Sequence, residues 1–510
     1  MSSLPSTEIV TEVLDAADKG GSYRSILKAT SLIGGASVIN ILIGMVRTKF
    51  VAVLLGPTGV GLLGMYGQVT SVVGALTGLG IGNSGVRQVA EAVGSNDDER
   101  VARTVITLRR AAWLTGGLGL LVMVLFCVPL SQATFGTTNY AWAIALLGVT
   151  LLTGAIAAGQ GSIINGTRRI TDLAKISIFG AASGTLISIP CYWIWGASGI
   201  VPSLLLSAFT ALATSWWFAR RVSVKAIDLP WRESVGEARQ LLTLGVSFMA
   251  AGLVTVLSNY LIWVVLLRQF SLDDVGIYQA AFNLSGILVG FVLGAMGADY
   301  YPRLTAVAGD NISVHRMVNE QTQVSIILAL PGLAAMMVFA PLVIKIFYAT
   351  SFETAVPVLR WCTLGILGRV FSWPMGFVIL AKGKGQLFLL TEIFASSLHL
   401  GAVFIFIQIW GLNGAGVAFM VLYVIYTALM LFVVRRLVGS TWDRHTLKQS
   451  VFASTTMLVL MINCTLDSNL MTVWTINLIV FSGILWFCLK QLSRQSNINF
   501  QELLVKLRLK

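Results

Sequence analysis

The sequence predicts an all-α integral membrane protein with about 14 transmembrane helices, on the evidence of its composition, its apolar runs and an internal repeat. Of its 510 residues, 56% are hydrophobic and only 11% are charged, whereas a soluble domain carries roughly a quarter charged residues. Apolar runs of about 20 residues follow one another along the chain, and each is long enough to cross a hydrocarbon core of roughly 30 Å as a helix. No large soluble domain fits between them.

Charged residues, glycine and proline bound the apolar runs and so define the predicted spans. The first six lie near Ile26–Val46, Gly59–Ile81, Ala111–Leu130, Tyr140–Ile164, Ile176–Trp195 and Ile200–Ala219. The next six lie near Leu241–Leu267, Gly276–Asp299, Val324–Phe347, Val356–Leu380, Leu387–Trp410 and Ala415–Val434, and a final pair lies near Val451–Leu466 and Leu470–Leu489.

The distribution of lysine and arginine predicts the orientation, because short basic loops stay on the cytoplasmic side. Of the 35 basic residues, 29 lie in the two tails or in connections that follow even-numbered spans. The exceptions are Arg47, Lys49, Arg268, Lys345, Arg360 and Arg369. We therefore expect a multi-pass protein of a bacterial inner membrane with both termini in the cytoplasm.

A repeat at a separation of 215 residues indicates two related halves. It pairs glycine, tryptophan and arginine at matching helix ends: Val60-Gly61 with Val275-Gly276, Trp195-Gly196 with Trp410-Gly411, and Arg220-Arg221 with Arg435-Arg436. Since six spans per repeat is an even number, both halves have the same orientation. Parallel repeats of this kind are typical of transporters that bind substrate between the halves.

The predicted organisation has six parts, of which two are helical bundles. These are a cytoplasmic N-terminal tail (1–22), an N-terminal six-helix bundle (23–221), a cytoplasmic linker (222–240), a C-terminal six-helix bundle (241–436), an extra helix pair (437–490) and a basic cytoplasmic tail (491–510).

The chain lacks the residue patterns of an enzyme, a nucleic-acid binder or a metalloprotein. No nucleophile or metal-binding motif is present, and Lys382-Gly383-Lys384-Gly385 lacks the spacing of a nucleotide-binding loop. The net charge of +13 is spread between apolar runs, unlike the clustered basic face of a nucleic-acid reader. The five cysteines lie in or beside apolar runs and are interpreted as core residues. We expect no cofactor, no metal and no nucleic-acid partner.

Charges at membrane depth are the best candidates for function, since they are costly there unless they face a wet cavity or a partner. Arg369 lies near the middle of the tenth span. Arg47, Lys49, Arg87 and Arg268 lie near span ends and could complete a cationic lining for a headgroup diphosphate. The alternative for these four is that they extend to the interface without binding substrate.

Three further features have less specific meanings. Glu392 in the eleventh span is the first candidate for coupling to a proton or cation gradient, and a buried pair with Arg369 is the alternative. His399 is interpreted as an interior histidine whose ring nitrogens are hydrogen-bonded. Gly74, Gly78 and Gly82 recur every four residues, which lets another helix approach closely.

Two stretches of the first half resemble one family of membrane proteins: Lys49-Phe-Val-Ala-Val-Leu-Leu-Gly-Pro-Thr-Gly-Val-Gly61 and Gly80-Ile-Gly-Asn-Ser-Gly-Val-Arg87. In the second half, Asp273-Asp-Val-Gly-Ile-Tyr-Gln279 and Gly376-Phe-Val-Ile-Leu-Ala-Lys382 add to the match. The family is the Wzx-type flippases of the multidrug/oligosaccharidyl-lipid/polysaccharide (MOP) exporter superfamily. They move polyprenyl-diphosphate-linked oligosaccharides for O-antigen and enterobacterial common antigen.

The resemblance implies a V-shaped pair of six-helix bundles around a central cationic cavity. It implies a flippase, not an enzyme, that carries a polyprenyl-diphosphate-linked glycan from the cytoplasmic to the periplasmic leaflet. The family's basic positions match at Lys49, Arg87 and Arg369, and Arg268 and Glu392 are further matches. The bilayer and a polysaccharide polymerase machinery are the other partners considered. The extra helix pair keeps a peptidoglycan-precursor flippase open, and a drug/cation antiporter is a further alternative.

Overall fold

The computed structural model describes the backbone of residues 7–95, 97–222, 224–225, 227–465 and 470–496, with most side chains from residue 34 onward. These residues form 16 α-helices and contain no strand. The helices are α1 Thr7–Thr77, α2 Ile81–Gly94, α3 Asp98–Leu125, α4 Cys127–Phe135, α5 Ala141–Gly166, α6 Ile170–Trp195, α7 Ile200–Ala219, α8 Trp231–Gln269, α9 Leu272–Ala306, α10 Asn311–Val338, α11 Ala340–Phe347, α12 Ala355–Ala381, α13 Gly385–Trp410, α14 Asn413–Val438, α15 Arg444–Thr465 and α16 Leu470–Ser496.

The all-helical membrane fold predicted from the sequence is confirmed. Within the described residues, 10 helical segments are long and apolar enough to cross a bilayer, or 11 if the bent pair Leu272–Ile287 and Val292–Ala306 is one span. Two of these segments, Gly34–Thr77 with 44 residues and Ile170–Ala219 with 50, are about twice as long as one crossing requires. The count of 14 stays a prediction.

A sharp break divides α1 at Gly56. The backbone of Gly56 adopts φ 64° and ψ −169°, a conformation that glycine tolerates and larger residues do not. Pro57 follows and begins the next helical stretch, where its missing N–H costs no helical hydrogen bond. The dipeptide Gly56-Pro57 therefore separates the first two predicted spans within one continuous helical segment.

Matching backbone conformations confirm the 215-residue repeat. Gly196 and Gly411 end α6 and α13 with φ 55° and 56° and ψ −134° and −140°. A Cβ on Gly199 would overlap the carbonyl oxygen of Cys191, and a Cβ on Gly414 would overlap that of Phe406. These four positions again differ by 215. Equivalent glycines thus permit the same close turn in both halves.

Several helix boundaries differ from the predicted ones. α3 begins at Asp98, 13 residues before the predicted start, because Asp97 accepts hydrogen bonds from the N–H groups of Glu99 and Arg100 and so caps the helix. α8 begins at Trp231 instead of Leu241. The predicted N-terminal and C-terminal tails lie outside the described residues over 1–6 and 497–510.

Contacts divide the chain into two compact units. The first unit comprises Met1–Phe50, Val69–Ala133 and Thr137–Gly252, and the second comprises Val51–Gln68, Thr134–Gly136 and Leu253–Lys510. Although Val51–Gln68 lies in the first half of the sequence, it packs with the second unit. The predicted boundaries of the six parts stay predictions.

Inside the second unit, Gly61 of the first repeat contacts Gly276, its equivalent in the second repeat. A Cβ on Gly61 would overlap the carbonyl oxygen of Leu272 and lie 3.0 Å from Gly276 N. A Cβ on Gly276 would overlap the carbonyl oxygen of Pro57 and lie 2.9 Å from Gly61 N. The contact is reciprocal between residues 215 apart, as expected at a two-fold axis. The Thr58 hydroxyl also donates a hydrogen bond to the carboxylate of Asp273, at the same separation.

Candidate functional site

A cavity of about 310 Å³ lies between α9 and α12 of the second unit. Four glycines of α9 form one wall, Gly286, Gly290, Gly294 and Gly297, and Arg369, Trp373 and Phe377 of α12 line it from the other side. A Cβ on Gly286, Gly290 or Gly294 would meet nothing within 4 Å. The glycine stripe therefore leaves free volume opposite the arginine.

Arg369 presents its guanidinium to this cavity from the middle of α12. Among the residues that the structure describes, its side chain has no hydrogen-bond or salt-bridge partner. A cation inside a membrane helix costs about 2.5–3.5 kcal/mol on insertion scales unless water or an anion satisfies it. Because guanidinium N–H groups match phosphate oxygens in a bidentate way, the cavity is suited to a phosphate-bearing ligand.

The cavity wall behind Arg369 is rigid and aromatic. Trp373 and Phe377 pack with ring centroids 4.8 Å apart, and Tyr300 contacts both rings. The buried hydroxyl of Tyr300 donates a hydrogen bond of 3.1 Å to the carbonyl oxygen of Pro374. This cluster fixes α9 against α12 beside the arginine.

Glu392 of α13 lies in the same unit as Arg369 and is half-buried. Its carboxylate accepts a hydrogen bond of 3.0 Å from the hydroxyl of Tyr426 on α14. Arg369 is close enough to act electrostatically on Glu392, yet no salt bridge within 4.0 Å joins the two among the described side chains. Glu392 therefore has a neutral partner and leaves the guanidinium open to the cavity.

The other predicted cations have surroundings that differ from those of Arg369. Arg47 and Lys49 are half-buried before the Gly56 break of α1. Arg47 faces α6, where its guanidinium lies 4.0 Å from the position of a Cβ on Gly184. Arg268 is exposed at the end of α8 beside Gly136.

Arg87 has a local partner, Glu91, that was not predicted from the sequence. On α2 its guanidinium forms a salt bridge of 2.8 Å with Glu91 one turn later, and its side chain is 60% exposed. An exposed pair of this kind contributes little to stability. The structure does not bring Arg87 together with Arg369 in one unit. All five cationic positions and Glu392 stay predictions as substrate-binding or coupling residues.

The first unit holds a related cavity that lacks the arginine. It has a volume of about 290 Å³ and is lined by Gly74, Gly78 and Gly82, the glycines that recur every four residues in the sequence. Gly154, which also lines it, is the 215-residue counterpart of Arg369. Each repeat thus has its own glycine-walled cavity. Among the described residues, only the cavity of the second repeat is lined by an arginine.

The glycine stripe of α9 was not predicted from the sequence. The signal was present, since Gly286, Gly290 and Gly294 recur every four residues and Gly297 is the repeat partner of Gly82. Close approach of a helix and an open cavity require the same glycine spacing, so the spacing alone does not distinguish them.

The fold defines the class of protein. The structure of the lipid II flippase MurJ in an inward closed conformation has a TM-score of 0.69 at 11% identity and covers 92% of this chain and 100% of that one. An inward-facing multidrug resistance MATE family transporter of the MOP superfamily has a TM-score of 0.68 at 15% identity, covering 80% and 98%. The chain is a multi-span membrane protein with the fold shared by these transporters.

The family follows from the sequence itself. Residues 50–357 match the model of the polysaccharide biosynthesis protein family, and the chain belongs to that family. It is similar to the lipid III flippase of Escherichia coli strain K12, at 25% identity over 79% of this chain and 97% of that protein. It is also similar to the lipopolysaccharide biosynthesis protein WzxC of the same strain, at 22% identity over 81% of both chains. The resemblance found in the sequence is confirmed.

Proposed function

We propose that the protein is a flippase that moves a polyprenyl-diphosphate-linked oligosaccharide from the cytoplasmic to the periplasmic leaflet of a bacterial inner membrane. The glycan is an O-antigen, common-antigen or exopolysaccharide repeat unit. The observation that carries the proposal is the guanidinium of Arg369, which has no hydrogen-bond or salt-bridge partner among the described residues and lies opposite the glycine wall of α9. The names of two relatives, a lipid III flippase and WzxC, support it.

The proposed mechanism is alternating access. The diphosphate binds Arg369 while the polyprenyl chain stays in lipid, and rocking of one half against the other re-exposes the headgroup on the periplasmic side. Arginine suits this cycle, because a guanidinium stays charged in an apolar setting and binds phosphate oxygens through two parallel hydrogen bonds. Arg47, Lys49, Arg87 and Arg268 are proposed to contact the headgroup before or after Arg369.

The finer architecture belongs to the same proposal. We take the breaks at Gly56 and at the 3-10 turn Gly196–Gly199 as ends of separate spans, which raises the 11 candidate segments to 13, and we take α15 as the fourteenth span. An even count places both termini on the same side of the membrane, and the distribution of lysine and arginine indicates that this side is the cytoplasm. A V-shaped pair of bundles is the arrangement implied by the family.

The sign of the cavity charge argues against a drug/cation antiporter. Such a transporter needs carboxylates at membrane depth to bind its cation, and no carboxylate lines the 310 Å³ cavity within the described part of the chain. A peptidoglycan-precursor flippase is the second candidate, because the MurJ structure matches 92% of the chain. Both flippase substrates carry the diphosphate that Arg369 would bind.

The test is transport by the purified protein in vesicles that contain a fluorescent polyprenyl-diphosphate-linked oligosaccharide. Arg369→Gln should abolish flipping and Arg369→Lys should retain part of it, since lysine keeps the charge but loses the bidentate geometry. Arg303→Gln is the matched control, because Arg303 is exposed and pairs with Asp299 at 3.0 Å outside the cavity. Wild-type flipping by Arg369→Gln would overturn the proposal. A parallel assay with a lipid-linked peptidoglycan precursor decides between the two flippase substrates.

Coupling to a proton or cation gradient is proposed to act through Glu392, with no other cofactor. Glu392→Gln keeps an oxygen that can accept from Tyr426 but removes the titratable charge. Flipping by this variant should no longer respond to an imposed gradient, although wild-type flipping does. An unchanged response would remove Glu392 from the coupling step.

A further inference from the structure

A further cavity of the first unit adjoins its glycine-walled cavity, with which it shares Ala112 and Gly159, and has no assigned role. Its volume is about 810 Å³, and it lies between α3, α5 and α7. Ala112, Gly159 and Ala213 are among its lining residues, and α3 and α5 approach closely there, since a Cβ on Gly159 would lie 2.9 Å from that of Ala112. This volume is within the range of about 300–1,000 Å³ that is typical of small-molecule sites.

Two guanidinium groups, Arg109 and Arg220, line the cavity. The Arg220 guanidinium stacks 3.7 Å from the ring of Trp217 and 5.1 Å from that of Trp216. Neither arginine has a hydrogen-bonded or ion-paired side-chain partner among the described residues, and no carboxylate lines the cavity there. The neighbouring Arg110 differs, because it donates to Ser234 at 2.5 Å.

A third donor faces the same space. The amide of Gln160 lines the cavity, and its oxygen accepts a hydrogen bond of 2.5 Å from the hydroxyl of Ser215. With its oxygen occupied, the amide has its NH2 group left to donate. Two cations and one amide donor, without an acceptor charge, form a site for an anion.

The walls are apolar and open to the outside of the helices. Trp113, Phe209 and Trp216 line the cavity and are each half-exposed or more. Tryptophan beside arginine at a helix end is typical of the level of lipid headgroups, and α7 ends one residue before Arg220. An anionic group attached to a hydrocarbon chain would satisfy both the cations and the aromatic wall.

In the second unit, packed side chains fill the equivalent space. By the repeat, α10 and α14 correspond to α3 and α7. There Val314 and Val318 of α10 share one packed core cluster with Val434 and Val438 of α14. Among the described residues of the first unit, the equivalent of Val434 is Ala219, which packs with Ile164 and Phe218 in a smaller cluster. At the 215-residue offset, Gln160 and Arg109 correspond to Met375 and Val324, so apolar residues stand at these two positions in the second repeat. Arg220 corresponds to Arg435.

We propose that the cavity of Arg109, Arg220 and Gln160 binds the phosphate of a membrane lipid whose chain lies against Trp113, Phe209 and Trp216. By the positive-inside rule this site faces the cytoplasmic leaflet. The shared chemistry is a lipid phosphate, and its sources are an anionic glycerophospholipid of the bilayer and a polyprenyl phosphate. The proposal does not depend on the transport function.

The experiment is native mass spectrometry of the delipidated full-length protein titrated separately with phosphatidylglycerol, undecaprenyl phosphate and inorganic phosphate. The double variant Arg109→Gln/Arg220→Gln should weaken lipid binding at least about tenfold, because two charge-assisted hydrogen-bonding groups are lost. The control Arg303→Gln/Arg316→Gln removes the same charge from exposed arginines elsewhere and should bind as the wild type does.

Ala213→Phe provides a second variant that keeps both arginines and fills the cavity, and it should weaken lipid binding as well. Tighter binding of phosphatidylglycerol identifies a bilayer lipid as the occupant, and tighter binding of undecaprenyl phosphate identifies an isoprenoid lipid. Wild-type lipid binding by the folded double variant or by Ala213→Phe would overturn the proposal. So would binding of inorganic phosphate as tight as that of either lipid.

Discussion

The contact of Gly61 with Gly276 predicts that a single methyl group at either position forces the helices apart. A Cβ on Gly276 would overlap the carbonyl oxygen of Pro57 and lie 2.9 Å from Gly61 N, and a Cβ on Gly61 would lie 3.0 Å from Gly276 N. Ordinary contacts of a Cβ begin near 3.4 Å. Because the carbonyl oxygens lie closer still, the backbones must separate by about 1 Å or more, and overpacking of this kind costs about 1–3 kcal/mol.

The assay is a double-mutant cycle on the free energy of unfolding in detergent. Gly61→Ala and Gly276→Ala should each destabilise the protein by that amount. The double variant should cost less than the sum, because the first methyl group has already opened the contact that the second would occupy. Gly67→Ala is the control on the same helix, since a Cβ there meets nothing within 4 Å.

Two results would refute this reasoning. One is a pair of single variants that unfold like Gly67→Ala, which would show that the backbones do not approach closely. The other is strict additivity within about 0.5 kcal/mol, which is typical of independent sites and would place the two glycines in separate contacts.

Further predictions concern the cavity and two helix caps. Gly290→Leu should fill the space opposite Arg369 and stop flipping at normal protein levels, whereas Gly401→Leu, where a Cβ also meets nothing within 4 Å, should transport normally in the same vesicle assay. Hydrogen bonds from Ser313 and from the Ile312 N–H hold the pKa of Asp310 below its usual range. The stability it confers is thus present above the ordinary carboxylate pKa of about 3.9 and is lost as pH falls through the lower folded value, so Asp310→Asn should flatten the acid limb of a stability–pH curve. Asp443→Ala removes the acceptor for the Thr446 N–H at the start of α15 and should lower the unfolding free energy by about 1 kcal/mol in chemical denaturation.

The membrane fold and the repeat could be predicted because their signals are local. A run of about 20 apolar residues cannot be placed in water, and Gly196 and Gly411 mark helix ends that only glycine can form. Arg369 was identifiable for a similar reason, since a charge amid an apolar run is conspicuous in any single sequence.

Features that depend on tertiary packing were not predictable in the same way. Arg109 was assigned to a cytoplasmic connection, because α3 was expected to begin at Ala111. The acidic start Asp97-Asp98-Glu99 marks the true beginning of the helix and was readable as a cap. The cavity around Arg109 could not be predicted from the sequence, because it depends on how α5 and α7 pack against α3.

The placement of Val51–Gln68 in the second unit has a consequence for how the chain is made. This segment emerges early from the ribosome, but its partner around Gly276 lies 215 residues later. At about 5–20 residues per second, the two cannot meet for about 10–40 s. During that interval the segment after Pro57 must be sheltered by lipid or by the insertion machinery, so shortening the delay or truncating the chain before Leu253 should expose it to quality-control proteolysis.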